Sequence, residues 1–97
     1  MKLHRLHNSQ GLALGYMFYC PGCDIPHSVY VDKPSPSNGC QWSFNGDMEK
    51  PTFSPSFLIP GQCHCYITNG RIQFLSDCTH ALAGRTVDIP DMDISTA

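Results

Sequence analysis

Cys63-His64-Cys65-Tyr66-Ile67-Thr68-Asn69-Gly70-Arg71-Ile72-Gln73-Phe74-Leu75-Ser76 reads as two strands around a two-residue turn. Asn-Gly suits that turn because a type I′ loop needs positive φ at both central positions. The short loop fixes the register: Thr68 opposes Arg71, Ile67 opposes Ile72, Tyr66 opposes Gln73 and Cys65 opposes Phe74. Strand side chains alternate, so Cys63, Cys65, Ile67, Ile72, Phe74 and Ser76 share one face. His64, Tyr66, Thr68, Arg71, Gln73 and Leu75 share the other. The first set is the more apolar and is expected to face the core.

Outward from this hairpin the chain keeps the same character. Leu12 to Tyr19 is aromatic and apolar and reads as a strand that delivers Cys20 to a turn. Val29-Tyr30-Val31 is a second short strand. Lys33 to Gly39 is a loop, since two prolines and Asn-Gly interrupt regular structure. Gln41 to Phe44 reads as a strand ending at the Asn45-Gly46 turn, and Thr52 to Ile59 is extended. Pro55 puts that segment at a sheet edge or a bulge. After the hairpin, Asp77 or Thr79 is placed to cap one helical turn over His80 to Ala83, with Gly84 as its stop. Thr86 to Ile89 is a last short strand. The expected fold is therefore mostly β, a small α+β antiparallel sheet with one short helical turn.

The chain has 97 residues and reads as a single domain over 1–97, with 1–10 and 91–97 as loose termini. Eight glycines, eight prolines and only 14% charged residues fit a turn-rich β chain. A net charge of -2 gives no general attraction to nucleic acid. No apolar run approaches the ~20 residues that a membrane-spanning helix needs. Lys2 and Arg5 before the apolar Gly11 to Cys20 superficially suggest a secretion signal. Polar residues interrupt the approach, however, and no small-residue cleavage motif follows.

Cys20-Pro21-Gly22-Cys23 is the strongest chemical signal in the chain. Two thiolates spaced C-x-x-C on a tight turn can face one ion. More soft ligands lie at Cys63-His64-Cys65 and at Cys78-Thr79-His80. In a secreted protein the six cysteines would pair into disulfides, whereas in a reducing compartment the same pattern reads as Zn2+. Neighbouring strand residues point to opposite faces, so Cys63 and His64 cannot both ligate without a bulge.

Trp42-Ser43-Phe44-Asn45-Gly46-Asp47, Pro51-Thr52-Phe53-Ser54-Pro55-Ser56 and the run from Gln73 through Asp77-Cys78-Thr79-His80 to Gly84 carry a resemblance. With the C-x-x-C knuckle, they resemble an uncharacterised family of small phage and prophage proteins, some mislabelled as ammonia monooxygenase. The resemblance covers roughly residues 18–90. It implies a bacterial cytosol, hence zinc over disulfides. It points to Cys20, Cys23, Cys63, His64, Cys78 and His80 as the matching residues, and to Cys20, Cys23, His64 and Cys78 as the metal ligands. Cys63 or His80 in place of His64 are the alternatives. Cys40 and Cys65 fall outside the family pattern and read as small buried or partly buried thiols.

A second cluster is polar: Asn45, Asp47, Thr52, Ser54, Ser56, Asp77, Thr79 and His80. It reads either as turns whose side chains bond to backbone, or as a pocket in which Asp47 or Asp77 works with His80 in acid-base chemistry. The H-x-E and P-C-x-x-C of zinc deaminases and the H-E-x-x-H of metalloproteases are missing from the sequence. Trp42 beside Phe44 and Phe53 is expected in the core, and His27 is expected exposed. The sequence alone therefore favours a zinc-binding phage accessory protein that binds a host or phage protein without catalysis. The alternatives are a metal-dependent hydrolase or transferase using Asp47, Asp77 and His80, and a nucleic-acid module using Lys33, Lys50, Arg71 and Arg85.

Overall fold

A computed structural model describes residues 2–92. It holds two antiparallel sheets and, among the described residues, no helix. The first sheet takes β1 (His4–His7), β2 (Ala13–Cys20) and β3 (Ile25–Tyr30) in that order. The second runs β4 (Ser43–Phe44), β5 (Phe53–Ile59), β6 (Cys63–Thr68), β7 (Arg71–Phe74) and β8 (Thr86–Asp88) as a meander.

The β6–β7 hairpin forms in the predicted register, from Thr68↔Arg71 to Cys65↔Phe74. Asn69 and Gly70 both take positive φ, as the turn demands. Cys63, Cys65, Ile67, Ile72 and Phe74 are all buried, so the predicted core face is the core face. Ser76 is exposed instead, because the ladder ends at Phe74 and the chain turns away. Both sheets contribute to one apolar cluster: Leu3, Phe18, Cys20 and Val29 from the first side meet Phe53, Phe57, Ile67, Ile72 and Phe74. Phe18 and Phe57 meet edge-on with ring centroids 5.7 Å apart. Gly15 is fixed by the same packing, since a Cβ there would lie 2.0 Å from the Val29 carbonyl oxygen.

Three local expectations change. The N-terminal residues are not loose: His4–His7 pair with β2, Leu3 is fully buried, and Lys2 Nζ donates to the Ile89 carbonyl at 2.6 Å. At the other end Met92 is buried, and 93–97 lie outside the described residues. The segment His80 to Ala83 is not a helical turn but two successive tight turns, closed by Ala83 N–H to His80 O and Arg85 N–H to Leu82 O. Gly84 has φ of 80° and sends the chain into β8. Pro55 meets both halves of its expectation: β4 pairs only with Phe53 and Ser54, so Pro55 begins an open edge, and the β5–β6 register shifts between Phe53 and Phe57.

The Asn45-Gly46-Asp47 segment is a turn held by its own side chains. Asn45 Oδ1 accepts from the Asp47 and Thr52 amides at 3.1 Å each, and Nδ2 donates to Lys50 O at 3.1 Å. Asp47 accepts from the Lys50 and Glu49 amides, which hold its carboxyl below the usual carboxylate range. Asn45→Ala removes three hydrogen bonds at once and is expected to destabilise the fold by about 2 kcal/mol. Thermal melting checks this.

Candidate functional site

The alternation that buries Cys63 and Cys65 turns His64 to the opposite face, and this decides its role. His64 Nδ1 lies 3.1 Å from Asp77 Oδ2, and Nε2 lies 3.3 Å from Ser56 Oγ. Strand order explains the meeting. Leu58 pairs with His64, so Ser56, two residues earlier on the same face of β5, is its diagonal neighbour. On the other side Leu75 N–H donates to His64 O, and Asp77, two residues beyond Leu75, closes the line. Ser56, His64 and Asp77 thus run laterally across the second sheet, with the imidazole in the middle.

Their exposure suits chemistry rather than structure. The His64 side chain is 26% exposed and Asp77 62% exposed, with Ser56 half-buried. Backbone contacts hold the line in place. Trp42 is buried against Phe57 and donates its indole N–H to the Ser56 carbonyl at 3.3 Å. Cys78 Sγ accepts from the His64 amide and its thiol donates to the His64 carbonyl, both at 3.2 Å.

Behind this face lies a second constellation. Ligand atoms of Cys20, Cys23, His27 and Cys63 all fall within 4.8 Å of one another, and those of Cys63, Cys78 and His80 do the same. The residues fit a metal ion. The Nε2 atoms of His27 and His80 are buried with no hydrogen-bond partner, and a cation would satisfy that of His27. Burial, followed by the neighbouring thiols, raises Cys63 far above the usual thiol range and pushes Cys65 up to about 12. Cys20 is raised as well, by burial first. Burial and then the His80 charge lower His27, favouring the neutral imidazole that ligates.

The two groups are not equally prepared. Leu82 N–H donates to His80 Nδ1 at 3.2 Å, which puts the proton of the neutral ring on Nε2. No such bond competes for His27, and Cys20, Cys23, His27 and Cys63 make a four-donor set by themselves. The knuckle is tight as predicted: Cys23 N–H donates to Cys20 Sγ at 3.3 Å. Gly22 packs so closely on His80 that a Cβ would lie 2.2 Å from its ring.

Of the sequence-predicted ligands, Cys20 and Cys23 stand together in the four-membered group and Cys78 stands in the other. His64 stands in neither, because both its ring nitrogens face Ser56 and Asp77. His27, expected exposed, is 5% exposed and joins the thiols. Cys65 is buried as expected, while Cys40 is exposed. Asp77 partners His64 rather than His80, and Asp47 serves its turn. Arg71 is paired with Asp88 at 3.1 Å. Among the described residues no helix is long and apolar enough to cross a membrane.

The model of BubE, described as a bacterial ubiquitination-like system serine protease, matches residues 2–75. The chain belongs to the BubE family. The matched span contains Ser56, His64 and the whole of the C-x-x-C knuckle, and ends two residues before Asp77. No curated protein and no solved structure matches the chain.

Proposed function

We propose that this member of the BubE family is a serine hydrolase that cleaves acyl bonds in a protein substrate, with Ser56 as nucleophile, His64 as general base and Asp77 as its orienting carboxylate. The observation that carries it is the polarity of the His64 contacts: Nε2 to the hydroxyl and Nδ1 to the carboxylate. That is the arrangement in which an imidazole can take a proton from serine while the carboxylate holds the correct tautomer. The family's description as a serine protease supports the same assignment. The 3.3 Å Ser56–His64 separation is within the range seen before substrate tightens such a contact.

In this reading His64 Nε2 accepts the Ser56 proton as Oγ attacks the substrate carbonyl. The C–N bond breaks as His64 returns that proton to the leaving amine, and water then hydrolyses the Ser56 ester by the same relay. The macromolecule that the sequence suggested the protein binds is then its substrate, a protein within a bacterial system. A bacterial cytosol, with a phage or prophage setting, accords with six cysteines that are all free.

We assign the thiol–imidazole group to one zinc ion, because thiolate and imidazole donors in a closed set of four suit zinc. Its role is structural, and the chemistry stays with the chain's own side chains.

Diisopropyl fluorophosphate tests the nucleophile. Intact-mass analysis is expected to show one adduct, and peptide mapping is expected to place it on Ser56. His64→Ala should abolish it. Labelling of another serine, or labelling indifferent to His64, would overturn the assignment.

A further inference from the structure

The line Asp77–His64–Ser56 ends at Ser56, and what lies beyond it is an unpaired strand edge. β4 covers only Phe53 and Ser54 of β5, through Phe44↔Phe53 and Ser43↔Ser54. Among the described residues no strand pairs with β5 from Pro55 onward on the side away from β6. The direction of the backbone groups there follows from two contacts. The Ser56 carbonyl faces outward, since Trp42 reaches it from that side. The Ile59 carbonyl faces the hairpin turn, where Gln62 N–H donates to it at 3.1 Å. Strand polarity alternates, so Phe57 faces β6, and Leu58 presents both its N–H and its C=O outward like Ser56.

A cleft of about 390 Å³ opens along this edge. Trp42, Phe57 and Ile59 line it together with Pro26, Tyr30 and Pro36. Apart from His27, its remaining lining residues are serines, Asn38 and Leu58, with no carboxylate, lysine or arginine among them. Leu58 is 48% exposed on the same face as Ser56. An exposed apolar residue with a free donor and acceptor, on a strand that carries the nucleophile, is what an added strand would use.

We infer that the substrate binds as an extended peptide added to the free edge of β5, hydrogen-bonded to the Leu58 main chain, with an uncharged apolar side chain in the cleft. This rests on the hydrolase reading above. It supplies what the triad lacks: a lateral neighbour that places a peptide carbonyl beside Ser56 Oγ, on the side opposite His64. Main-chain bonds give the peptide its register, and the uncharged lining rejects acidic and basic side chains, which would lose hydration without gaining a partner.

The test uses wild-type protein and two probes. p-Nitrophenyl acetate, which has no peptide chain, reports the nucleophile through a burst and an acetyl adduct on Ser56. A positional set of acetyl-tetrapeptide aminomethylcoumarin amides reports the edge. An apolar residue at one position is expected to exceed aspartate, glutamate and lysine there by at least tenfold in kcat/KM. N-Methylation of one backbone amide in the best substrate is expected to lower kcat/KM at least tenfold. An ester burst with no tetrapeptide cleaved, with a flat N-methyl scan or with a charged residue preferred overturns the edge while leaving the hydrolase. No burst and no adduct would remove the hydrolase itself, and the edge with it.

Discussion

Ser56→Ala is expected to lower turnover of p-nitrophenyl acetate at least about a thousandfold, equivalent to about 4 kcal/mol of transition-state stabilisation. The melting temperature should hardly change. Ser56 is half-buried, its hydroxyl makes a 3.3 Å contact to one imidazole nitrogen, and its carbonyl bond to Trp42 survives the substitution. A surface change of that kind is usually worth less than about 0.5 kcal/mol. His64→Ala should cost as much activity as Ser56→Ala, and the double variant scarcely more, because members of one relay are not additive. Asp77→Asn keeps the shape but offers an amide where Nδ1–H needs an acceptor, so it should lose about a hundredfold or more without losing the fold. If Ser56→Ala retained a tenth of wild-type turnover, the nucleophile would have to be sought elsewhere.

The same residues show how far the sequence could be read. Asn69-Gly70 fixes the hairpin register from local chemistry, and that register forms residue for residue. It also places His64 outward, opposite Leu75, but Asp77 lies beyond the end of the ladder at Phe74, where Ser76 already departs from alternation. What also concealed the pair was a competing use for His64, as a soft ligand beside Cys63. Ser56 was harder. Its register with β6 depends on the shift between Phe53 and Phe57, and periodicity does not reveal where a strand bulges. His27 was hidden for another reason. Its burial comes from Phe18 and Phe57, one in each sheet, and contacts between sheets leave no local signature. The N-terminal strand is likewise a product of distant partners, Ile89 among them.

With zinc held by Cys20, Cys23, His27 and Cys63 as proposed, its removal is expected to unfold the site and silence Ser56 together, although no ligand belongs to the relay. Each half of the relay is one residue from a thiol of the second layer: Cys63 precedes His64, and Cys78 follows Asp77. Cys78 Sγ is also the partner of the His64 main-chain amide and carbonyl. Inward-facing Cys63 and outward-facing His64 share one stretch of β6, so an ion on the first would hold the backbone that aims the second. The energetic scale favours a large effect. A domain of this size is stable by about 5–15 kcal/mol, and structural zinc in small modules contributes on the order of 10 kcal/mol. Loss of even about 5 kcal/mol would lower the melting temperature by about 20 °C or more. Cys63→Ser should therefore yield protein without stoichiometric zinc by elemental analysis, with early melting and no diisopropyl fluorophosphate adduct. His64→Ala should keep its zinc and its melting temperature, and lose only the adduct. The contrast separates the two faces of one strand: were His64→Ala to lose the metal, the imidazole would be a ligand and the triad would fall. Were Cys63→Ser to melt normally without zinc, the thiols would be a packed core and the brace would fall.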